Sequence, residues 1–212
     1  MAEPRGVILG GGQALRLGGR PKGLLEVGGI RILDRLVAAM TEAFGEAPLL
    51  VANAPEAPRW HPGLEVVPDR VAGAGTLGGL HAALLAAAGP IVCAAWDMPF
   101  VPAALLRFLG ASLAGFDAVL PASGGPRGLE PLCAGYAAGC LAPIEAAMAR
   151  GDFRAVGFHG DVRVHVLDRT SIASFGDPAW LFFNVNTPDD LERANQAPGL
   201  PTERSLFPRP TD

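Results

Sequence analysis

The chain has 212 residues, 50% of them hydrophobic and 18% charged, with a formal net charge of −4 at pH 7. At this length an apolar chain buries about 70% of its unfolded surface, which excludes a disordered or low-complexity protein, and the acidic balance gives no basic face for nucleic acid. The cysteines Cys93, Cys133 and Cys140 form no Cys-x-x-Cys pair, no signal peptide is read, and every long apolar stretch is broken by Gly or Pro. A cytoplasmic protein with reduced, buried thiols and no membrane span is expected.

The apolar run Gly6-Val7-Ile8-Leu9 predicts a short buried strand, and a loop from Gly10 to Lys22 with five glycines follows it. Glycines let backbone N–H groups approach a ligand that a Cβ would block, and successive N–H groups make a nest for anions. Arg16, Arg20 and Lys22 add positive charge where phosphates would lie; Arg20 reads equally well as a solvated surface charge. The loop is not a Walker A motif, because Pro21 precedes Lys22 and Gly23 follows it. Nor is it the dinucleotide fingerprint, which needs a small residue where Leu15 stands.

Helical periodicity then covers Ile30 to Phe44, with Leu33, Leu36, Val37 and Met40 on one side. Pro48–Asn53 and Leu64–Asp69 read as buried strands, Thr76–Ala88 as an Ala/Leu helix, and Pro90–Ala95 as a central strand leading to Asp97. Pro102–Leu113 reads as a helix and Asp117–Pro121 as a strand. The second half is less regular: strands at Pro131–Tyr136, Val162–Leu167 and Trp180–Phe183, and helices at Ala142–Arg150 and Pro188–Asn195. Four prolines after Ala197 predict an irregular tail over 197–212 behind a single domain of residues 1–196.

This βαβ alternation predicts an α/β fold: a three-layer, mainly parallel, Rossmann-like sheet with helices on both faces. Ligands of such sheets bind beyond the carboxyl ends of the strands. The glycine loop, Asn53, Asp69 and Asp97 each follow a predicted strand, so one edge collects them. Asp97, before Met98-Pro99, is either a turn initiator or a ligand for magnesium, which takes one or two carboxylates together with phosphate oxygens and water. Lys22, held behind Pro21, can offset charge on a triphosphate. Asn53 and Asp69 either cap turns or hydrogen-bond a base or ribose. Thr76 can cap the helix that contains Gly78 and Gly79. Thr187, Pro188 and Asp190 read as N-cap, N1 and N3 of the last helix, leaving Asn184 and Asn186 unexplained on one face of a strand ending. His61, His81, His159 and His165 share no ligand spacing, and no Ser or Cys is paired with a base.

The pattern Leu-x-Gly-Gly-x-x-x-Arg-x-Gly-x-x-x-Lys from Leu9 to Lys22 resembles the signature loop of nucleotidyltransferases of the molybdenum-cofactor guanylyltransferase type. Ala94-Ala-Trp-Asp-Met-Pro99 resembles the family's metal-binding Asp-x-Pro stretch. Gly73-Ala-Gly-Thr-Leu-Gly-Gly79 resembles its Gly-Pro-Leu-Ala-Gly segment, with Thr76 where proline is usual, and Asn184-Val-Asn-Thr-Pro188 matches a further hallmark. The likeness thus covers about residues 6–195. It implies the nucleotide-diphospho-sugar transferase type of fold, with the nucleotide in the N-terminal half and a pterin in the C-terminal half. By the same likeness, GTP would lie against Leu9, Gly10, Gly11, Gly12, Lys22, Asn53, Asp69 and Asp97. Asp97 would hold Mg2+, and Lys22 and Arg16 would offset charge in the transfer of GMP to molybdopterin. Gly78, Gly79, Asn184 and Asn186 would line the pterin side, with Arg127, Glu130 and Pro131 in a loop nearby. The implied partners are the two substrates and other cofactor-biosynthesis proteins or an acceptor molybdoenzyme, for a monomer or weak oligomer. A related branch transfers CMP and resembles Leu-Ala-Ala-Gly at the loop start. Here Gly11 stands at the discriminating place and Gly10 replaces the alanine of both branches, leaving room for a purine. Sugar-phosphate nucleotidyl transfer and a catalytically silent nucleotide-binding module are the other readings.

Overall fold

Short, mainly apolar runs of two to five residues form the strands, and a computed structural model of the chain describes residues 2–11, 19–124, 128–198 and 200. In chain order the first half holds β1 (Arg5–Leu9), β2 (Glu26–Val27), β3 (Ile30–Arg31), α1 (Ile32–Phe44), β4 (Leu49–Val51), β5 (Glu65–Val67), α2 (Gly75–Ala87) and β6 (Ile91–Ala95). The second half holds α3 (Ala103–Ala111), β7 (Ala118–Pro121), β8 (Cys133–Tyr136), α4 (Leu141–Ala149), β9 (Val164–Leu167), α5 (Arg169–Ala173), α6 (Pro178–Leu181) and α7 (Pro188–Asn195). Seven strands make one sheet in the order β5-β4-β1-β6-β8-β7-β9. Only β8 runs antiparallel to its neighbours in this sheet.

Each face of the sheet is covered, because side chains alternate along every strand. Ile8, Leu50, Val92 and Ala94 pack with Leu33, Leu36 and Met40 of α1 and Leu105, Leu106 and Leu109 of α3. Val7, Leu9, Val51, Ile91 and Cys93 pack with Leu77, Leu80 and Leu84 of α2 and Ile144 of α4. Helix α2 is buried nearly all round, which explains its Ala/Gly/Leu composition. Among the described residues, no helix is long and apolar enough to cross a membrane.

The strand register sets the site. Leu9 is level with Val51 on one side and Ala95 on the other, and Val51 is level with Val67. These four parallel strands end in one row, and Gly11, Asn53, Asp69 and Asp97 each stand two residues beyond it. From β1 the chain moves outward to β4 and β5 on one side and then crosses through α2 to β6 on the other, which opens a crevice at the carboxyl end of β1.

Four expectations are corrected. Trp180–Phe183 is not a strand: Asp177 caps the N–H of Ala179 and Pro178 opens the short α6, so a local helix-start signal outweighs aromatic β propensity. Ile30 and Arg31 belong to β3, and α1 starts at Ile32; the tight turn at Gly28-Gly29, with φ of 61° and 76°, folds β3 back on β2. Asn184 and Asn186 lie in an irregular segment, since the chain leaves α6 for α7 without pairing to a strand. Helix α2 starts at Gly75 with Ala74 at its N-cap, so Thr76 lies inside the helix and does not cap it.

Candidate active site

Lys22 and Asp97 meet although 75 residues separate them. Pro21 leads into a 3-10 turn, Lys22–Leu24, in which the Leu25 N–H donates to the Lys22 carbonyl. Lys22 Nζ donates to Asp97 Oδ2 at 2.9 Å and to Asn186 Oδ1 at 2.5 Å. The Lys22 and Asp97 side chains are only 15% and 13% exposed, so bulk water screens this junction weakly. An ammonium held between a carboxylate oxygen and an amide oxygen marks a place built for positive charge.

The C-terminal segment is fastened to this junction by its backbone. The Val185 N–H donates to the Asp97 carbonyl at 2.9 Å, fixing the Asn184–Asn186 segment beside the end of β6. The predicted capping box of α7 is present: Thr187 Oγ1 accepts from the Asp190 N–H, while Asp190 accepts from the N–H groups of Thr187 and Asn186. Asn195 at the other end of α7 accepts from the Gly28 N–H at 2.8 Å, tying the helix to the β2–β3 hairpin. Partial burial opposes ionisation of Asp190, but the hydrogen bonds from Thr187 and the Asn186 amide and the charge of Arg193 outweigh it and hold its carboxyl below the ordinary carboxylate range. A depressed carboxyl contributes stability that is complete above the unfolded pKa and is lost as pH falls through the folded value. The Asp190→Asn variant is therefore expected to melt below wild type by about 1 kcal/mol near neutral pH. That gap should close below about pH 4 in parallel thermal melts.

Asn53 and Asp69 form a reciprocal pair. Asn53 Nδ2 donates to Asp69 Oδ2 at 2.8 Å, and Asn53 Oδ1 accepts the Asp69 N–H at 2.8 Å. The capping reading of Asn53 gives way to a cross-strand clamp between β4 and β5. Gly79 of α2 comes close enough that an added Cβ would stand 3.7 Å from Asp69 Oδ1 and from Leu9 Cδ2. Gly78 has another role: its Cβ would meet Ala74 at 2.9 Å, so its bareness serves the packing of the helix start.

These strand ends enclose a cavity of about 530 Å³ whose wall includes Leu9, Gly10, Gly11, Asn53, Asp69, Gly79 and Asp97. A second cavity of about 890 Å³ adjoins it, lined by Ser123, Glu130, Arg169, Phe182 and others, and the two share Leu132 and Asn184. Burial pushes the Glu130 carboxyl above its ordinary pKa, with a hydrogen bond to Ser123 acting the other way. Asn184 Nδ2 donates to the Phe182 carbonyl, so its amide is oriented locally. The sequence reading missed Trp96, Leu132 and Arg169; only Trp96, next to Asp97, carried a signal that could have been taken.

Gly10 and Gly11 differ in their surroundings. A Cβ at Gly10 would lie 3.0 Å from the Val51 carbonyl and 3.1 Å from Leu50, so it would crowd β4. A Cβ at Gly11 would meet nothing within 4 Å among the described residues. Among the described residues the open position of the two is thus Gly11. Gly12 and Arg16, assigned to the nucleotide and its phosphates, lie outside the described residues, as do Arg127 and most of the 197–212 tail. Among the described residues, no three His, Cys, Asp or Glu side chains cluster as a metal cage.

A lysine, a carboxylate and a glycine turn at the switch point of a parallel sheet define a phosphate-handling α/β protein. The chain belongs to the MobA-like NTP transferase family, whose domain model matches residues 6–163. It is 37% identical over 195 residues to a probable molybdenum cofactor guanylyltransferase of Pelotomaculum thermopropionicum, covering 92% of this chain and 93% of that protein. Among solved structures it resembles the molybdopterin-guanine dinucleotide biosynthesis protein A of Archaeoglobus fulgidus, at 28% identity and a TM-score of 0.77, over 91% of this chain and 97% of that one. The 2-C-methyl-D-erythritol 4-phosphate cytidylyltransferase of Thermus thermophilus shares the fold, with a TM-score of 0.61 and 20% identity over 92% and 98% of the two chains.

Proposed function

We propose that this chain transfers GMP from GTP to the terminal phosphate of molybdopterin and releases pyrophosphate. The observation that carries the proposal is the convergence of Gly11, Asn53, Asp69 and Asp97 on one cavity, with Lys22 Nζ against Asp97. GTP occupies that cavity, its base toward Gly11 and the Asn53–Asp69 pair, whose amide and carboxylate offer both donors and acceptors. The pterin occupies the adjoining cavity along Asn184, so its phosphate reaches the α-phosphorus past the shared wall. An oxygen of that phosphate bonds to the α-phosphorus in line, the bond to the bridging oxygen of pyrophosphate breaks, and the electron pair leaves with pyrophosphate. Positioning and electrostatics suffice for this chemistry, which matches a site without a nucleophile.

The donor set fits a hard divalent cation: the Lys22 ammonium already lies between the oxygens of Asp97 and Asn186. Mg2+ would be held by Asp97, with the Asn186 amide beside it, and by substrate phosphates, where it would offset charge on the transferred group. Asn186 accordingly serves the phosphate end and Asn184 the pterin side. Lys22 then turns its ammonium toward the phosphates, and Arg16 is the second cation there.

Pyrophosphate release in the presence of molybdopterin, with GTP and CTP compared side by side, tests the reading. Turnover with GTP at least about tenfold above CTP is expected, the discrimination that one well-formed polar contact or steric fit supplies. CTP preference would overturn the choice of base, and binding of GTP without pyrophosphate release would favour the silent module.

A further inference from the structure

Trp96 sits between the last residue of β6 and Asp97, and the proposed chemistry makes no use of it. It is nearly buried, 3% exposed, and it touches both the end of β1 and the Lys22 turn. The indole Nε1–H donates to the Gly11 carbonyl at 2.9 Å, and the Trp96 backbone N–H donates to the Leu9 carbonyl at 3.2 Å. The ring also fills the space in front of Gly23, where a Cβ would come within 2.6 Å of Cε3, so the residue after Lys22 has to be bare. Trp60 packs against the ring with centroids 5.1 Å apart.

Ring packing against Gly23 and Trp60 needs only an aromatic of the right size. The bond to Gly11 needs more. An indole N–H can only donate, so it selects one orientation of the Gly11 carbonyl. Because the peptide unit is planar, holding that oxygen also holds the backbone at Gly11. We propose that Trp96 is a positioning residue that sets the Gly11 carbonyl at the end of β1, the Lys22 turn and Asp97 in one fixed arrangement for the nucleotide triphosphate. The inference rests on the nucleotidyltransferase reading above.

The test is Trp96→Phe, which keeps an aromatic ring and removes the donor. Its thermal midpoint is expected to stay within a few degrees of wild type, while the Kd for GTP by calorimetry rises about tenfold, the size of effect that one lost hydrogen bond supplies. In wild type, the Trp96 indole resonance, assigned against Trp60→Phe and Trp180→Phe variants, is expected to be protected from solvent exchange and to shift on addition of GTP. Unchanged GTP affinity in the variant, or a loss that only tracks a fallen midpoint, overturns the proposal. Should the variant not fold, an indole proton that exchanges freely and ignores GTP overturns it equally. Wild type that binds no GTP sinks the nucleotide reading and this inference with it, an outcome distinct from tight binding by both proteins.

Discussion

Asp97→Asn is expected to lower the rate of pyrophosphate release about a thousandfold while leaving the protein folded. The substitution preserves the shape of the side chain and the backbone bond from Val185 to the residue 97 carbonyl. It removes the charge that faces Lys22 at 2.9 Å. A metal ion stabilises transition-state charge by several kcal/mol, and each ~1.4 kcal/mol is a factor of ten in rate. Losing the site's carboxylate should forfeit about three such factors. Stability should change less: Lys22 loses its counter-charge in a site nearly closed to solvent, but it keeps an amide oxygen on either side, so a loss of about 1–2 kcal/mol is expected. Titration of Mn2+ in the presence of GTP gives an independent readout, expected to show weakened binding in the variant. Activity within tenfold of wild type, or Mn2+ affinity unchanged, would remove Asp97 from the proposed role.

The sheet edge was legible because its signal is local and repeated. Each of β1, β4, β5 and β6 is a short, mainly apolar run with a glycine or polar residue two positions beyond its end, and parallel pairing brings such ends together whatever the loops do. The capping box at Thr187 and Asp190 was legible for the same reason, since every partner lies within four residues. What escaped depends on distance along the chain. Nothing near Asn186 indicates that its amide meets Lys22, 164 positions away. The β2–β3 hairpin has two residues per strand, too few for alternation to show, and its ordering comes from Asn195 of α7. Gly10 and Gly11 look alike in sequence, yet only neighbouring atoms of β4 reveal that one sits tight against packing and the other meets nothing within 4 Å among the described residues. The aromatic run Trp180–Phe183 misled because Phe100, not a neighbouring strand, receives Trp180 edge-on and Phe183 at a tilt.

Lys22→Met carries the second large effect. Methionine has nearly the length of lysine and no charge, so the turn behind Pro21 and the contact of Gly23 with Trp96 are retained. What disappears is a donor held in a weakly screened site, which in comparable electrostatic catalysis is worth roughly a hundred- to a thousandfold in kcat. Because the ammonium acts on charge that grows during transfer, the fall is expected in kcat, with the KM for GTP changing by less than about tenfold. Lys22 and Asp97 serve one phosphate group from adjoining positions, and groups that act as a unit do not contribute additively. The double variant Lys22→Met/Asp97→Asn should therefore lose about as much as Asp97→Asn alone, far short of the product of the two single losses. Steady-state kinetics of the four proteins settles the matter: multiplicative losses would mean that the two side chains act at separate steps and that their ion pair is only structural.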